Sequence, residues 1–293
     1  MKIIGHRNNL YKKGAKQSVS LPVNSRNYKM TKKLLQGFKV TDRLLGLIVP
    51  LLVLIIWQVT VSRHVFSELI LVPPLTIPDT FMYLFRSGDL ISHIFVSLNR
   101  VFLGFLVGAS AGFVLGFGMG FSPVMSRTIK PLVKALQQVP EFAWMPLIIL
   151  LFGIDELPKI IFIAIGAFYP MLFNTYQGVS SVPTSYHELA KVFDYNSHRY
   201  FLKVLIPSAL PSIITGIRHS LGMAWIFVVG AELFGTDNGI GYIMIQGRQL
   251  FQIDVVMAAL IVIGILGFTL NYVLQIIEQF LLRGRVSFDG GPA

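Results

Sequence analysis

Few side chains between residues 95 and 282 carry charge, and those few interrupt long apolar runs. Arg218 and His219 sit inside one such run. Arg218 falls about 11 residues past Pro207, roughly 16 Å along a helix that rises 1.5 Å per residue. A guanidinium at that depth costs roughly 2.5–3.5 kcal/mol on insertion scales, so it must face protein or water rather than lipid. Two roles fit: an anion site or gate on a translocation path, or a structural pair with Glu232, Gln137 or another buried polar group. Glu232, near the far end of the same run, is a pair partner or a lining residue. Arg100 and Asn99 lie near the start of an earlier run, where the plain reading is a side chain snorkelling to the interface. Gln137, Gln138, Asn174 and Gln177 either line a path or hydrogen-bond between helices. Trp144 and Trp225 read as packing residues.

Other chemistries find little support. Gly108-Ala109-Ser110-Ala111-Gly112 spells G-x-S-x-G, but a nucleophile elbow needs a strand-turn-helix setting and a His/Asp partner set. The run is apolar and helical, so Ser110 reads as a packing residue. There is no Walker motif, cofactor loop or metal-ligand spacing. With no cysteine there is no thiol chemistry either.

The most charged segment outside the tail is Tyr186 to Pro207. Glu188, Lys191, Asp194, His198, Arg199 and Lys203 alternate there with Leu189, Val192, Phe193, Phe201 and Leu205 at roughly helical spacing. This is a short amphipathic helix outside the bilayer. Its apolar face meets either a protein partner or lipid headgroups.

The elements that must position these residues are membrane helices. The chain is 54% hydrophobic and 13% charged, where a soluble domain carries about 25% charged residues. Its net charge of +11 is concentrated in basic residues from Lys2 to Arg43, opposed there only by Asp42. A basic block before a first apolar span marks a cytoplasmic tail, residues 1–43; no nucleic-acid reader motif accompanies it. The tail is too long for a signal-peptide n-region, and no small-residue cleavage site follows. Spans are expected at 44–62, 95–121, 136–153, 160–179, 208–234 and 255–282, each near the ~20 residues that cross hydrocarbon. Residues 63–93 form an outer loop with a short amphipathic helix over Asp79 to Asp89, after the breakers Pro73, Pro74 and Pro78. Asp155 and Glu156 mark an outer turn, and residues 235–254 read as an outer loop. Gly104, Gly108, Gly112, Gly116 and Gly120 form a stripe against which another helix can pack closely. Pro140 and Pro146 kink the third span. The basic tail, Arg127–Lys130–Lys134, the charged segment at 184–206, and Arg283 with Arg285 all fall on one side, which requires an even number of spans.

Glu188-Leu189-Ala190, then Asp194, then Val204-Leu205-Ile206-Pro207, resembles the EAA loop of ABC importer permeases. That pattern runs Glu-Ala-Ala, three residues, Gly, nine residues, then Ile-x-Leu-Pro. Glu188, Ala190 and Pro207 match; Leu189 stands for an Ala, and Asp194 for the Gly. Asp tolerates a left-handed backbone better than most residues. The likeness covers roughly Phe95 to Arg285. Pro146–Ile154, Phe173–Gly178, Leu205–Ser212 and Asn238–Tyr242 are similar to the branch serving sulfonates, taurine, nitrate and bicarbonate, and to aliphatic-sulfonate permeases in particular.

The resemblance implies an all-α integral membrane protein of about six transmembrane helices, with a type I importer permease domain over about 93–285 and a cytoplasmic coupling helix at 184–206. It implies a multi-pass permease in the bacterial plasma (inner) membrane with both termini cytoplasmic. It assigns Glu188, Leu189, Ala190, Asp194 and Pro207 to docking on the ATPase, and leaves Arg218, Glu232, Arg100, Gln137 and Asn174 as pathway candidates. The expected partners are a dimer of ATP-binding subunits, a second copy of the permease, an extracellular or periplasmic binding protein, and membrane lipid. ATP and Mg would be bound by the partner ATPase, and this chain would hold no cofactor. The expected cargo is a small oxyanion, an aliphatic sulfonate first and nitrate, taurine or bicarbonate next. A self-contained secondary carrier is the other class, and it leaves the charged segment unexplained.

Overall fold

The computed structural model describes residues 48–63, 65 and 71–282, and these are helical with connecting turns, without a strand. The expected basic tail, the first residues of the first span, and Arg283 and Arg285 lie outside the described residues. Helix α1, Ile48–Ser62, covers most of the expected first span. Its body belongs to a compact unit ending at Thr60; the remaining helices belong to a second unit beginning at Val61.

The second unit begins with α2, Ile77–Arg86, within the expected amphipathic stretch. Gly88, at φ +82°, turns the chain into α3, Asp89–Phe121, which at 33 residues is about 50 Å long. Then follow α4, Pro123–Gln137, α5, Met145–Phe152, and α6, Glu156–Ser180. Helix α7, Thr184–Val192, and the short α8, Ser197–Tyr200, precede α9, Ile206–Glu232; α10, Ile240–Gln249, and α11, Ile253–Leu281, complete the chain. Among the described residues four stretches are long and apolar enough to span a membrane, α3, α6, α8 running into α9, and α11, or five if the bent pair Pro123–Gln137 and Glu141–Phe152 counts as one span.

The glycine stripe decides the core. A Cβ added at Gly108 would lie 2.1 Å from the Ala164 carbonyl oxygen, one at Gly112 2.5 Å from that of Phe168, and one at Gly116 2.3 Å from that of Leu172. Gly104 and Gly120 press equally on Ile163 and Val179. Helices α3 and α6 therefore run parallel at backbone contact distance. Ser110 is not part of this packing: it lies on the opposite, exposed face, because residues two apart on a helix point away from each other. Helix α9 packs antiparallel on α6, with Gly178 against Ala209 and Ser212, Gly216 against Asn174, and Gly166 under the Phe227 ring. Trp225 lies against Gly267 of α11 and is 7% exposed, the packing role expected of it. Two ends result: an α7 end, where α3, α6 and α11 finish, and an α10 end, where α6 begins and α9 finishes.

The expected third span, 136–153, is not one helix. Helix α4 and the segment Glu141–Phe152 meet at 88°. Pro140 has no N–H to continue α4 and takes φ −53°, ψ 128°, while Pro146 sits harmlessly in the first turn of α5. The break is anchored by Phe142, whose ring packs against Phe162 and Phe227 at 5.3 and 5.7 Å and over Gly230. The basic residues Arg127, Lys130 and Lys134 belong to α4 rather than to a loop, and Lys130 seats on the Tyr176 ring at 4.5 Å. The expected outer loop 235–254 contains α10, whose short polar-flanked run gave no helical signal.

Candidate coupling surface and buried charges

Helix α7 stands at one end of the bundle with its chemistry split by face. Ala190 is 6% exposed and turns inward, and Leu205 further on is 2% exposed within the core. Leu189, Val192 and Phe193 are exposed at 50%, 79% and 66%, beside exposed Glu188. Large apolar side chains gathered on a charged helix outside the bundle are the mark of a contact surface. Two adjoining clefts of about 300 and about 750 Å³ share Ala190 and Tyr195, the first lined also by Tyr186 and Lys203, the second by His198 and Phe201.

Asp194 explains how α7 ends. Its φ is 47°, in the left-handed region, and the Tyr195 N–H donates to the Ala190 carbonyl at 2.9 Å. That six-to-one bond across a left-handed residue is a Schellman close, the place where glycine is usual and Asp is tolerated. Asn196 then caps the next turn, its Oδ1 accepting from the Arg199 N–H at 2.9 Å. The helix continues through a wide π turn at Phe201–Leu205 into α9. Pro207 lacks an N–H for the carbonyl of Lys203 four residues back, and the widened turn absorbs the ring there.

At the α10 end the structure gathers charges that the sequence had scattered. Arg100 is 1% exposed, so it does not snorkel to an interface. Its Nε and Nη2 donate to the two carboxylate oxygens of Glu156 at 2.7 and 2.6 Å. Its Nη1 donates to Glu232 Oε1 at 2.8 Å and to the Asn238 carbonyl at 2.9 Å, and its Nη2 reaches Asn238 Oδ1. All five guanidinium N–H groups are thus directed at acceptors, three of them at the oxygens of two carboxylates. Glu232, also fully buried, accepts from Ser97 Oγ at 2.7 Å and from the Gly241 N–H at 2.8 Å, which sets its charge at the start of α10. Gly239 and Gly241 are glycines because a Cβ at either would come within 2.6 Å of the Glu232 side chain. Lys159 adds a contact to Glu156 at 3.2 Å. The cluster ties α3, α6, α9 and the α10 loop together and leaves no Arg100 donor for a passing molecule.

Arg218 is placed differently. Its Nη1 donates to Glu278 Oε2 of α11 at 2.5 Å, with 33% of the Arg218 side chain and 15% of the Glu278 side chain open. Thr215 Oγ1 lies 3.4 Å from Glu278 Oε1. The partner is thus neither Glu232 nor Gln137. Gln137 is exposed at the end of α4, and Asn174 donates its side-chain amide back to the Pro170 carbonyl of its own helix at 2.8 Å. Sequence reasoning missed Glu156, Asn238 and Glu278. Glu156 read as a turn residue, and Glu278 carried no reading; the weak signal available was that each is an acid at the edge of an apolar run in a chain with arginines inside such runs.

Comparisons with known proteins agree on the family. Residues 104–286 match the model of the binding-protein-dependent transport system inner membrane component. A Bacillus subtilis (strain 168) chain named as an aliphatic sulfonates transport permease, SsuC, is 40% identical over 245 residues, covering 84% of this chain and 89% of its own. The Escherichia coli (strain K12) taurine transport system permease TauC is 30% identical over 233 residues, covering 78% and 85%. The fold matches a chain of the MetNI methionine ABC transporter in an inward-facing conformation, with a TM-score of 0.57, 20% identity, and coverage of 66% of this chain and 96% of that one. The chain therefore belongs to the binding-protein-dependent transport system inner membrane component family and is an ABC importer permease.

Proposed function

We propose that this permease carries a small oxyanion, an aliphatic sulfonate first among them, into the cytoplasm, driven by ATP hydrolysis in a partner subunit that grips α7. The observation that carries the coupling role is the exposed face Glu188–Leu189–Val192–Phe193 on a helix whose other face, through Ala190, is seated on the body. The α7 end would be cytoplasmic, because Arg127, Lys130, Lys134, Arg199 and Lys203 gather there while Asp155, Glu156 and Asp237 occupy the α10 end. Two copies of this chain, two ATPase subunits holding ATP and Mg, and a binding protein delivering cargo at the α10 end would complete the importer. The sulfonate reading is supported by the names of the Bacillus subtilis and Escherichia coli relatives, with taurine and nitrate as the neighbouring choices in the same branch.

Arg218 is the pathway residue in this reading, since Arg100 and Glu232 are consumed by their own network. Replacing Glu188 with Lys reverses charge on the docking face without touching the core. Uptake of labelled ethanesulfonate in cells lacking other sulfonate importers should fall, and the ATPase should no longer copurify, while the permease stays in the membrane. Unchanged uptake and copurification would remove α7 from coupling. An uptake panel of ethanesulfonate, taurine and nitrate decides the cargo, and a chain that transports after purifying alone would be a secondary carrier.

A further inference from the structure

The arginines of α3 and α9 are neutralised in opposite ways. Arg100 is enclosed, with every N–H directed at a fixed acceptor. Arg218 meets Glu278 through Nη1, and a third of its side chain remains open. The pair also has polar neighbours on one face of each helix. On α9, Thr215, Arg218 and His219 share a face, His219 is exposed, and a Cβ at Gly222 one turn on would meet nothing within 4 Å. On α11, Asn271, Gln275 and Glu278 share a face at i, i+4 and i+7, with Asn271 and Gln275 exposed. The other faces of α11 expose apolar residues along its length, Leu260, Ile265 and Phe268 early and Val273, Ile276 and Phe280 late. Polar side chains exposed within a membrane helix mark contact with water or cargo.

We infer that Glu278 is a displaceable counter-ion for Arg218: it neutralises the guanidinium when no cargo is present, and an anionic cargo group takes its place during passage. This rests on Arg218 being a pathway residue. A permanently bare guanidinium would hold an anion too tightly to release it, and a fully enclosed one would never meet it. A half-open pair whose carboxylate can be displaced does both tasks: the anion binds by competing with Glu278, and the return of Glu278 expels it. The same competition discriminates by charge, because a neutral molecule offers nothing in exchange for the broken pair.

The test uses the complete purified importer with its ATPase and binding protein. Equilibrium binding of labelled ethanesulfonate and its ATP-driven uptake into proteoliposomes are measured for Glu278→Gln, Arg218→Gln and the double variant. Glu278→Gln keeps the shape and the Thr215 contact but removes the competing charge. It should tighten binding by roughly three- to tenfold and lower the uptake kcat by a comparable factor. Arg218→Gln and the double variant should lose binding together. Unchanged affinity and kcat in Glu278→Gln, with Arg218→Gln inactive, would overturn the counter-ion role and leave Arg218 on the path. An active Arg218→Gln would remove the pathway reading and this inference with it. If both single variants only lower the melting temperature, and the double variant restores it with affinity unaltered, the pair is structural and the inference fails.

Discussion

Arg100 and Arg218 are the same residue type in the same kind of apolar helix, and their surroundings separate them. What distinguishes them is the number of acceptors that the fold brings within 3 Å, and where those acceptors come from in the chain. Arg100 meets Glu156, Glu232 and Asn238, which are 56, 132 and 138 positions away in sequence. Removing one partner of a buried, paired charge leaves the other partners uncompensated, at about 3–5 kcal/mol. Arg100→Gln should therefore lower the melting temperature of the purified importer sharply, and Arg100→Lys should rescue it only in part, because a single ammonium cannot span Glu156 and Glu232 as the fork does. A melting temperature unchanged in Arg100→Gln would show that the network contributes nothing to stability. Asp194 makes the complementary point. It adopts φ 47°, so that α7 closes with the Tyr195 N–H on the Ala190 carbonyl.

Elements in this chain are held by what is missing from them. The α3–α6 contact depends on five glycines whose absent Cβ atoms would otherwise lie within 2.6 Å of the neighbouring helix. In lipid the hydrophobic effect does not drive helices together, so close packing of small residues carries the association. At Gly116 the nearest neighbour is the Leu172 carbonyl oxygen, a backbone atom that cannot swing aside. Gly116→Ala should cost about 1–3 kcal/mol through overpacking, and Gly116→Leu more, read as loss of the monodisperse peak in detergent and of thermal stability. Gly222→Ala is the control, since its Cβ would meet open space, and it should leave stability unchanged. Equal effects at the two positions would mean that helix propensity, not the α3–α6 contact, sets the outcome. The same reasoning explains the break at Pro140: hydropathy counts apolar residues, whereas Pro140 and the wedge of Phe142 beside Gly230 set the chain direction.

Across the whole molecule, the glycine stripe, the α6–α9 contacts and the Arg100 cluster join α3, α6 and α9 into one body, with α7 at one end and the charge cluster at the other. With α7 as the driven element of the proposed function, that body is expected to move as a unit, without the helices sliding. The chain has no cysteine, which makes the idea simple to check. A Cβ at Gly216 lies 3.0 Å from the Asn174 Cβ, close to disulfide reach after a small adjustment. The pair Asn174→Cys with Gly216→Cys should cross-link on oxidation, and ATP-driven uptake should persist in the cross-linked importer. Uptake that stops on oxidation and returns on reduction would mean that α6 and α9 move apart in the cycle.

The sequence by itself determined the class, most of the apolar runs that become helices, and the glycine face of α3. Each of these is written in local periodicity or composition, which a single pass along the chain can read; the pattern from Glu188 to Pro207 was legible only as a resemblance to a family. Tertiary structure alone decided which charges neutralise which, that the run 136–153 bends by 88° at Pro140 and not at Pro146, and that 240–249 is helical. Those outcomes depend on groups far apart in sequence arriving at one point. An arginine's cost in an apolar helix is visible locally, but the carboxylates that offset it are not.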